Sequence, residues 1–297
     1  MYKIFKITKL SMIVLLLCAC RSSLSNDLEM YESSMEKIYE LDKKYYEHLS
    51  EIDLEKIEHV STRTEKDIER SEVDKLKKNI DDNLIPISEE MVEELEKVDV
   101  TNEEIKKIHK DYAESIQLKE SFSKELGAGT DLFIAYEEST DQLIKDSEAV
   151  SAAKEERQSI IQKDHSKQTT NEIDEVIDIV NEKSKELEDN VTLLQGDDDA
   201  DEKERIVEEV LMPILDDQIE NLNQLSLETD DAKSVRSMSL EMFYTFKSYY
   251  RERINIIKIY EEEQDIQTQK SVSKIETFKK LDDTYHEELN ELKEETK

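Results

Sequence analysis

The chain has 297 residues, 39% of them charged, with 75 Asp and Glu against 41 Lys and Arg and a net charge of −34. That balance excludes a nucleic-acid-binding surface, because a protein so acidic repels phosphates, and it argues against a helix lying on anionic headgroups. Three Gly, two Pro and no Trp leave disorder or long helices with solvated faces, and the apolar 36% decides for helices because it is periodic.

Residues 1–9 carry Lys3, Lys6 and Lys9 and no acid, and Leu10 to Leu17 is apolar apart from Ser11. The stretch ends in Leu17-Cys18-Ala19-Cys20. A basic start, a short apolar core and a small residue before the cut predict a secretory signal over 1–19. A bilayer span needs ~20 apolar residues, more than this core has. The Leu-x-Ala-Cys ending resembles a bacterial lipobox, which implies cleavage between Ala19 and Cys20 and a diacylglycerol thioether on Cys20. Simple secretion with Cys20 incidental is the alternative. Both cysteines precede residue 21, so the processed chain has no disulfide to form, and loss of three lysines and no acid takes its charge to −37.

Residues 20–27 read as a polar tether, followed by a helical ectodomain over 28–297. Asn26 or Asp27 is placed to cap a first helix running to about Asn83. Its apolar seam is Leu28, Tyr31, Met35, Ile38, Tyr45, Leu49 and Ile52, stepping by threes and fours or by sevens where Asp42 interrupts. The seam thins between Ser61 and Ser71. Pro86 predicts a stop at Leu84-Ile85, with Ser88 capping the next helix. Thr101-Asn102-Glu103-Glu104 reads as a capping box. Gly127-Ala128-Gly129-Thr130 reads as a stop and restart, with a helix from Asp131 to about Leu194. Gly196 and the acids after it form a corner; helix resumes near Asp201 and meets Pro213. Thr229-Asp230-Asp231 starts a last helix running nearly to Lys297. The fold class is all-α: an elongated antiparallel bundle or coiled coil of long helices. A faint repeat at an offset of 127 residues aligns Pro86 with Pro213 and segments 28–126 with 155–253, suggesting a duplicated helix–short helix–helix unit.

No catalytic signature is present: no Gly-x-Ser-x-Gly, no His-Glu-x-x-His, no phosphate-binding glycine loop. His48, His59, His109, His165 and His286 never pair at helical spacing. The chain reads as no enzyme. One weak calcium-loop candidate exists, with Asp197, Asp199, Asp201 and Glu208 at positions 1, 3, 5 and 12, but Glu202 stands where the loop needs Gly. A solvated acidic turn is the simpler reading. Phe243, Tyr244, Phe246, Tyr249 and Tyr250 read as a wide core seam or as an exposed aromatic patch for a partner.

Glu241-Met242-Phe243-Tyr244 resembles the signature of the EMYY-motif lipoproteins of Gram-positive bacteria, with Phe for the first Tyr. Glu29-Met30-Tyr31 is a second partial match. Tyr112 to Leu126, with Leu118-Lys119-Glu120-Ser121-Phe122, is also similar to the YkyA-like cell-wall-binding lipoproteins. These resemblances imply a membrane lipoprotein with a helical ectodomain and bring no catalytic residues. The expectation is a non-enzymatic, lipid-anchored interaction or structural module on the extracytoplasmic face, associated with the cell wall or an envelope protein. The competing reading is a ligand- or metal-binding, solute-capturing lipoprotein; neither involves nucleic acid.

Overall fold

A computed structural model describes residues 2–53, 69–196, 199–266 and 268–296, with side chains over 24–53, 69–196, 199–263 and 273–296. All regular structure among the described residues is helical. The elements are α1 (Tyr2–Ser50), α2 (Arg70–Asn79), a π turn (Ile80–Leu84), α3 (Ile85–Leu95), α4 (Glu103–Ile161), α5 (Lys167–Glu182) and α6 (Ser184–Val191). A 3-10 turn (Thr192–Gln195), α7 (Ala200–Ile206), a second π turn (Val207–Leu211), α8 (Met212–Gln224), α9 (Asp230–Ile266) and α10 (Thr268–Thr296) follow. None of the described helices is long and apolar enough to cross a membrane.

The chain divides into two compact units, residues 1–133 with 266–297 and residues 134–265. In the first, α1, α2–α3, the start of α4 and α10 enclose one core. All seven seam residues expected in the first helix are buried there, joined by Ile105, Ile108, Tyr112, Ile116, Phe122 and Leu126 of α4 and Ile275, Phe278, Tyr285 and Leu289 of α10. Polar pairs fix the directions. Lys107 meets Glu288 and Ser115 meets Asp282, so α10 runs antiparallel to α4. Tyr31 meets His109 and Tyr45 meets Ser123, so α1 and α4 run parallel. In the second unit the rest of α4, α5, α7–α8 and α9 bury Ile160, Ile173, Val176, Leu211, Leu215, Leu222, Val235, Phe243 and Tyr250.

Several expected boundaries move. Neither Asn26 nor Asp27 starts a helix, because α1 runs through residues 20–27, a stretch with no Gly or Pro. Asp27 instead accepts a bond at 3.1 Å from Asn102. Asn102, not Thr101, begins α4: its Oδ1 accepts from the Glu104 N–H at 3.0 Å. Pro86 does not stop the chain. Ahead of it the helix widens for one turn, the Ile85 N–H reaching the Ile80 carbonyl, and this carries the chain past the carbonyl a proline ring would strike. Ser88 therefore lies inside α3, buried, bonding back to the Ile85 carbonyl at 2.9 Å.

Pro213 is handled identically, with the Met212 N–H reaching the Val207 carbonyl. The two π turns stand 127 residues apart, and so do the starts of α4 and α9. Gly127 and Gly129 do not end a helix either; α4 continues to Ile161. A Cβ at Gly127 would lie 3.1 Å from Ile85 Cδ1 and 3.5 Å from Ile80 Cγ2, so this glycine serves close approach to the π turn. The break falls later, at residues 162–166, where His165 Nε2 meets the Ile160 carbonyl at 2.7 Å and Ser166 caps α5.

Candidate functional site

Each of three helices in the first unit interrupts its apolar seam with one charged residue at the same layer. Asp42 does so on α1, Lys119 on α4 and Asp282 on α10, and all three are buried, Lys119 completely. Lys119 Nζ donates to Asp42 Oδ1 and to Asp282 Oδ2, each at 2.6 Å. The other contacts use what remains of the carboxylates. Tyr112 donates to Asp42 Oδ2 at 3.0 Å, Ser115 to Asp282 Oδ1, and Tyr46 to Asp282 Oδ2. Every carboxylate oxygen of the layer thus accepts an internal donor, and the ammonium also sits 4.8 Å from the centre of the Tyr46 ring.

Two carboxylates to one ammonium leave a net negative charge in a low-dielectric place. Burial pushes the Asp42 carboxyl above its ordinary range; the Lys119 ammonium opposes that and the Asp282 carboxylate adds to it. Burial likewise raises the phenols of Tyr45, Tyr46 and Tyr112, which keeps them protonated as donors. Next to the layer lies a tyrosine cluster. Tyr112 stacks on Tyr285 with ring centres 4.3 Å apart, and Tyr31 and Tyr39 both bond the Tyr285 hydroxyl. Burial pushes the Tyr39 phenol up to about 12. A cleft of about 470 Å³ opens over this region, lined by Tyr39, Asp42, Lys43, Tyr46, Lys279, Asp282, Asp283 and His286.

The arrangement ties α1, α4 and α10 together through one ammonium. Ser115 faces the Asp282 carboxylate directly, and His286 packs near the rings of Tyr39, Tyr112 and Tyr285 at the edge of the cleft.

Of the residues singled out from sequence, Ala19 and Cys20 lie outside the described side chains, and Asp197 and His59 lie outside the described residues. Asp199 and Glu208, described members of the acidic corner, are engaged within the fold. Asp199 caps α7, accepting from the Glu202 N–H at 2.9 Å, and Glu208 is gripped by Arg251 at 2.8 and 3.2 Å, which holds its carboxyl below the ordinary range. Among the described residues no three His, Cys, Asp or Glu side chains converge to hold a metal. The aromatic group divides. Phe243 and Tyr250 are buried, Phe246 and Tyr249 are half-buried between them, and Tyr244 alone is exposed. Phe246 lies 6.5 Å from Phe243 and 6.4 Å from Tyr250, the spacing of a packed seam.

Lys119 and Asp282 were not distinguishable in the sequence from many other charges. Asp42 carried a signal, since it breaks an otherwise apolar stripe. In the resembling motifs, Met30 is exposed while Tyr31 is core, and Met242 and Phe243 line a cavity in the second unit. No curated protein and no solved structure matches the chain. The family described as EMYY-motif containing lipoprotein matches residues 1–293. A match over nearly the whole chain, beginning at the signal-like start, means that the chain belongs to the family of EMYY-motif containing lipoproteins.

Proposed function

We propose that this protein is a non-enzymatic, lipid-anchored helical module on the extracytoplasmic face of a Gram-positive membrane, acting in interactions or structure between membrane and wall. The lipid is a diacylglycerol thioether on Cys20. The observation that carries the non-enzymatic reading is the layer of Asp42, Lys119 and Asp282, whose carboxylate oxygens are all engaged within the fold. The family match, starting at residue 1, supports the anchor. At −37 the processed surface is repelled by anionic lipids, so the acyl chains are what hold it there, and two chains suffice where one is marginal.

Association with the wall is part of the proposal. Wall polymers rich in phosphate repel this surface, so contact runs through divalent bridging, cationic substituents or uncharged glycan. Replacing Cys20 with Ala tests the anchor: the protein should pass from the membrane fraction to the medium, and retention at the membrane would overturn it. Sedimentation of the wild-type chain with purified wall, with salt and calcium varied, tests the partner. Binding that calcium strengthens supports bridging; absence of binding under every condition removes the wall from the proposal.

A further inference from the structure

The second unit contains a cavity of about 260 Å³ with two polar groups that the fold leaves unsatisfied. Gln218 on α8 lines it, only 2% exposed, and neither its amide oxygen nor its amide nitrogen has a hydrogen-bond partner. Arg157 on α4 lines it as well. Its Nε is buried without a partner, and its Nη1 makes a long 3.4 Å contact to the Ser239 hydroxyl. Lining the same space are Phe243 and Phe246 of α9, Leu187 of α6 and Ile214 of α8.

Both polar groups keep unmet hydrogen-bonding atoms in the described structure. Arg70, Arg205 and Arg251 pair with carboxylates, whereas Arg236 donates to the Leu225 carbonyl and Arg253 lies over the Tyr249 ring. The half-buried guanidinium of Arg157 stands in a cavity lined by no acid. A buried amide with both ends open carries the desolvation penalty of each unmet group. An apolar side chain would avoid that cost, and the first unit shows one: at the 127-residue offset Gln218 corresponds to Met91, which is fully buried in its core.

We infer that this cavity is a binding site for a small carboxylate with an apolar body and an adjacent N–H or O–H donor, the chemistry of apolar amino and hydroxy acids. The guanidinium of Arg157 takes the carboxylate, as its planar fork is suited to do. The Gln218 amide donates its N–H to the same carboxylate and accepts from the neighbouring donor. The phenyl rings and aliphatic groups enclose the body. The volume, roughly nine waters at ~30 Å³ each, limits the ligand to a single small molecule. This goes beyond the anchored-module reading and does not depend on it, since the readouts below are unaffected by where the protein is held.

Titration calorimetry of the full chain in detergent, with phenylalanine and with 3-phenyllactate as probes, tests the site. Saturable one-site binding of at least one probe is expected, with benzyl alcohol, which lacks the carboxylate, binding at least tenfold more weakly. Arg157→Met should weaken the probe at least tenfold. Gln218→Met should do the same while raising the melting temperature, because it installs the side chain the first unit uses and removes the orphan amide. That opposite movement separates a lost site from a lost fold. No saturable heat from either probe at millimolar concentration would overturn the proposal. So would unchanged binding by Arg157→Met, or a Gln218→Met variant that melts lower, which would mean that water already satisfies the amide.

Discussion

Lys119 is bonded to carboxylates 77 and 163 residues away in sequence, from two different helices, so its removal strikes α1, α4 and α10 together. Lys119→Met fills the space and leaves two facing carboxylates with no cation between them. Breaking a buried pair from one side costs about 3–5 kcal/mol, and urea unfolding at pH 7 should show a loss of that size. Asp42→Asn is the contrasting change. Its oxygen still accepts from Lys119, and the remaining pair with Asp282 is neutral. The pH dependence of the two proteins should differ in a definite direction. A carboxyl raised by burial binds its proton more tightly folded than unfolded, so its contribution to stability is present at low pH and lost as pH rises through its folded value. The stability of wild type relative to Asp42→Asn should therefore increase as pH falls from 7 toward 4. Glu172 has the opposite sign. Thr229, through its backbone N–H and hydroxyl, holds that carboxyl low, with Gln168 and the Glu228 N–H adding to the effect. Its contribution is present above the ordinary carboxyl range and is lost on acidification, so Glu172→Gln should lower the melting temperature at pH 7 and much less at pH 3.

At the scale of elements, Gly127 shows how helix and packing compete. Alanine there gains about 1 kcal/mol of helix propensity. Its Cβ, however, would stand 3.1 Å from Ile85 Cδ1, tighter than ordinary contact. Gly127→Ala alone should be near neutral. In an Ile85→Val background, where that methyl is gone, it should stabilise by about 1 kcal/mol, and Gly127→Leu should cost about 1–3 kcal/mol through overpacking. Thermal unfolding of the variants measures all of these. The same glycine explains what was legible in the sequence. The seam of α1 could be read residue by residue, because its period is a local property and every member proved buried. The breakers misled, because Gly127 and Pro86 record contacts across the bundle. The proline is admitted by a widened turn, and the glycine is kept small by what packs on that turn. The corner at residues 162–166 went unread because its only signals are Ser166 as a cap and a histidine closing the helix end, both ordinary surface residues in composition. Asp42 was visible as an interruption, but its partners were not, since any of the chain's many lysines could have answered it.

For the whole molecule, charge sets the conditions under which the fold is tested. A chain with a net charge of −34 repels itself, and that repulsion opposes the compact state. Screening at 0.5 M salt shortens the Debye length from about 10 Å at 0.1 M toward a few ångströms, so the melting temperature should rise with sodium chloride. The exposed pairs, such as Lys43 with Glu47 and Arg70 with Asp74, weaken over the same range but are individually worth little. The buried layer responds to neither. Its charges are separated by 2.6 Å with no solvent between, which ions do not screen. Salt should therefore raise wild type and Lys119→Met by similar amounts and leave the gap between them open, whereas acid, by protonating the facing carboxylates, should narrow it. Calcium at matched ionic strength gives the last distinction. The acidic corner has Asp199 committed to a helix cap and Glu208 to Arg251, so calcium should stabilise no more than sodium does. A melting temperature that climbs further with millimolar calcium would show that the cation draws Glu208 from Arg251, and Arg251→Ala would then enhance the response.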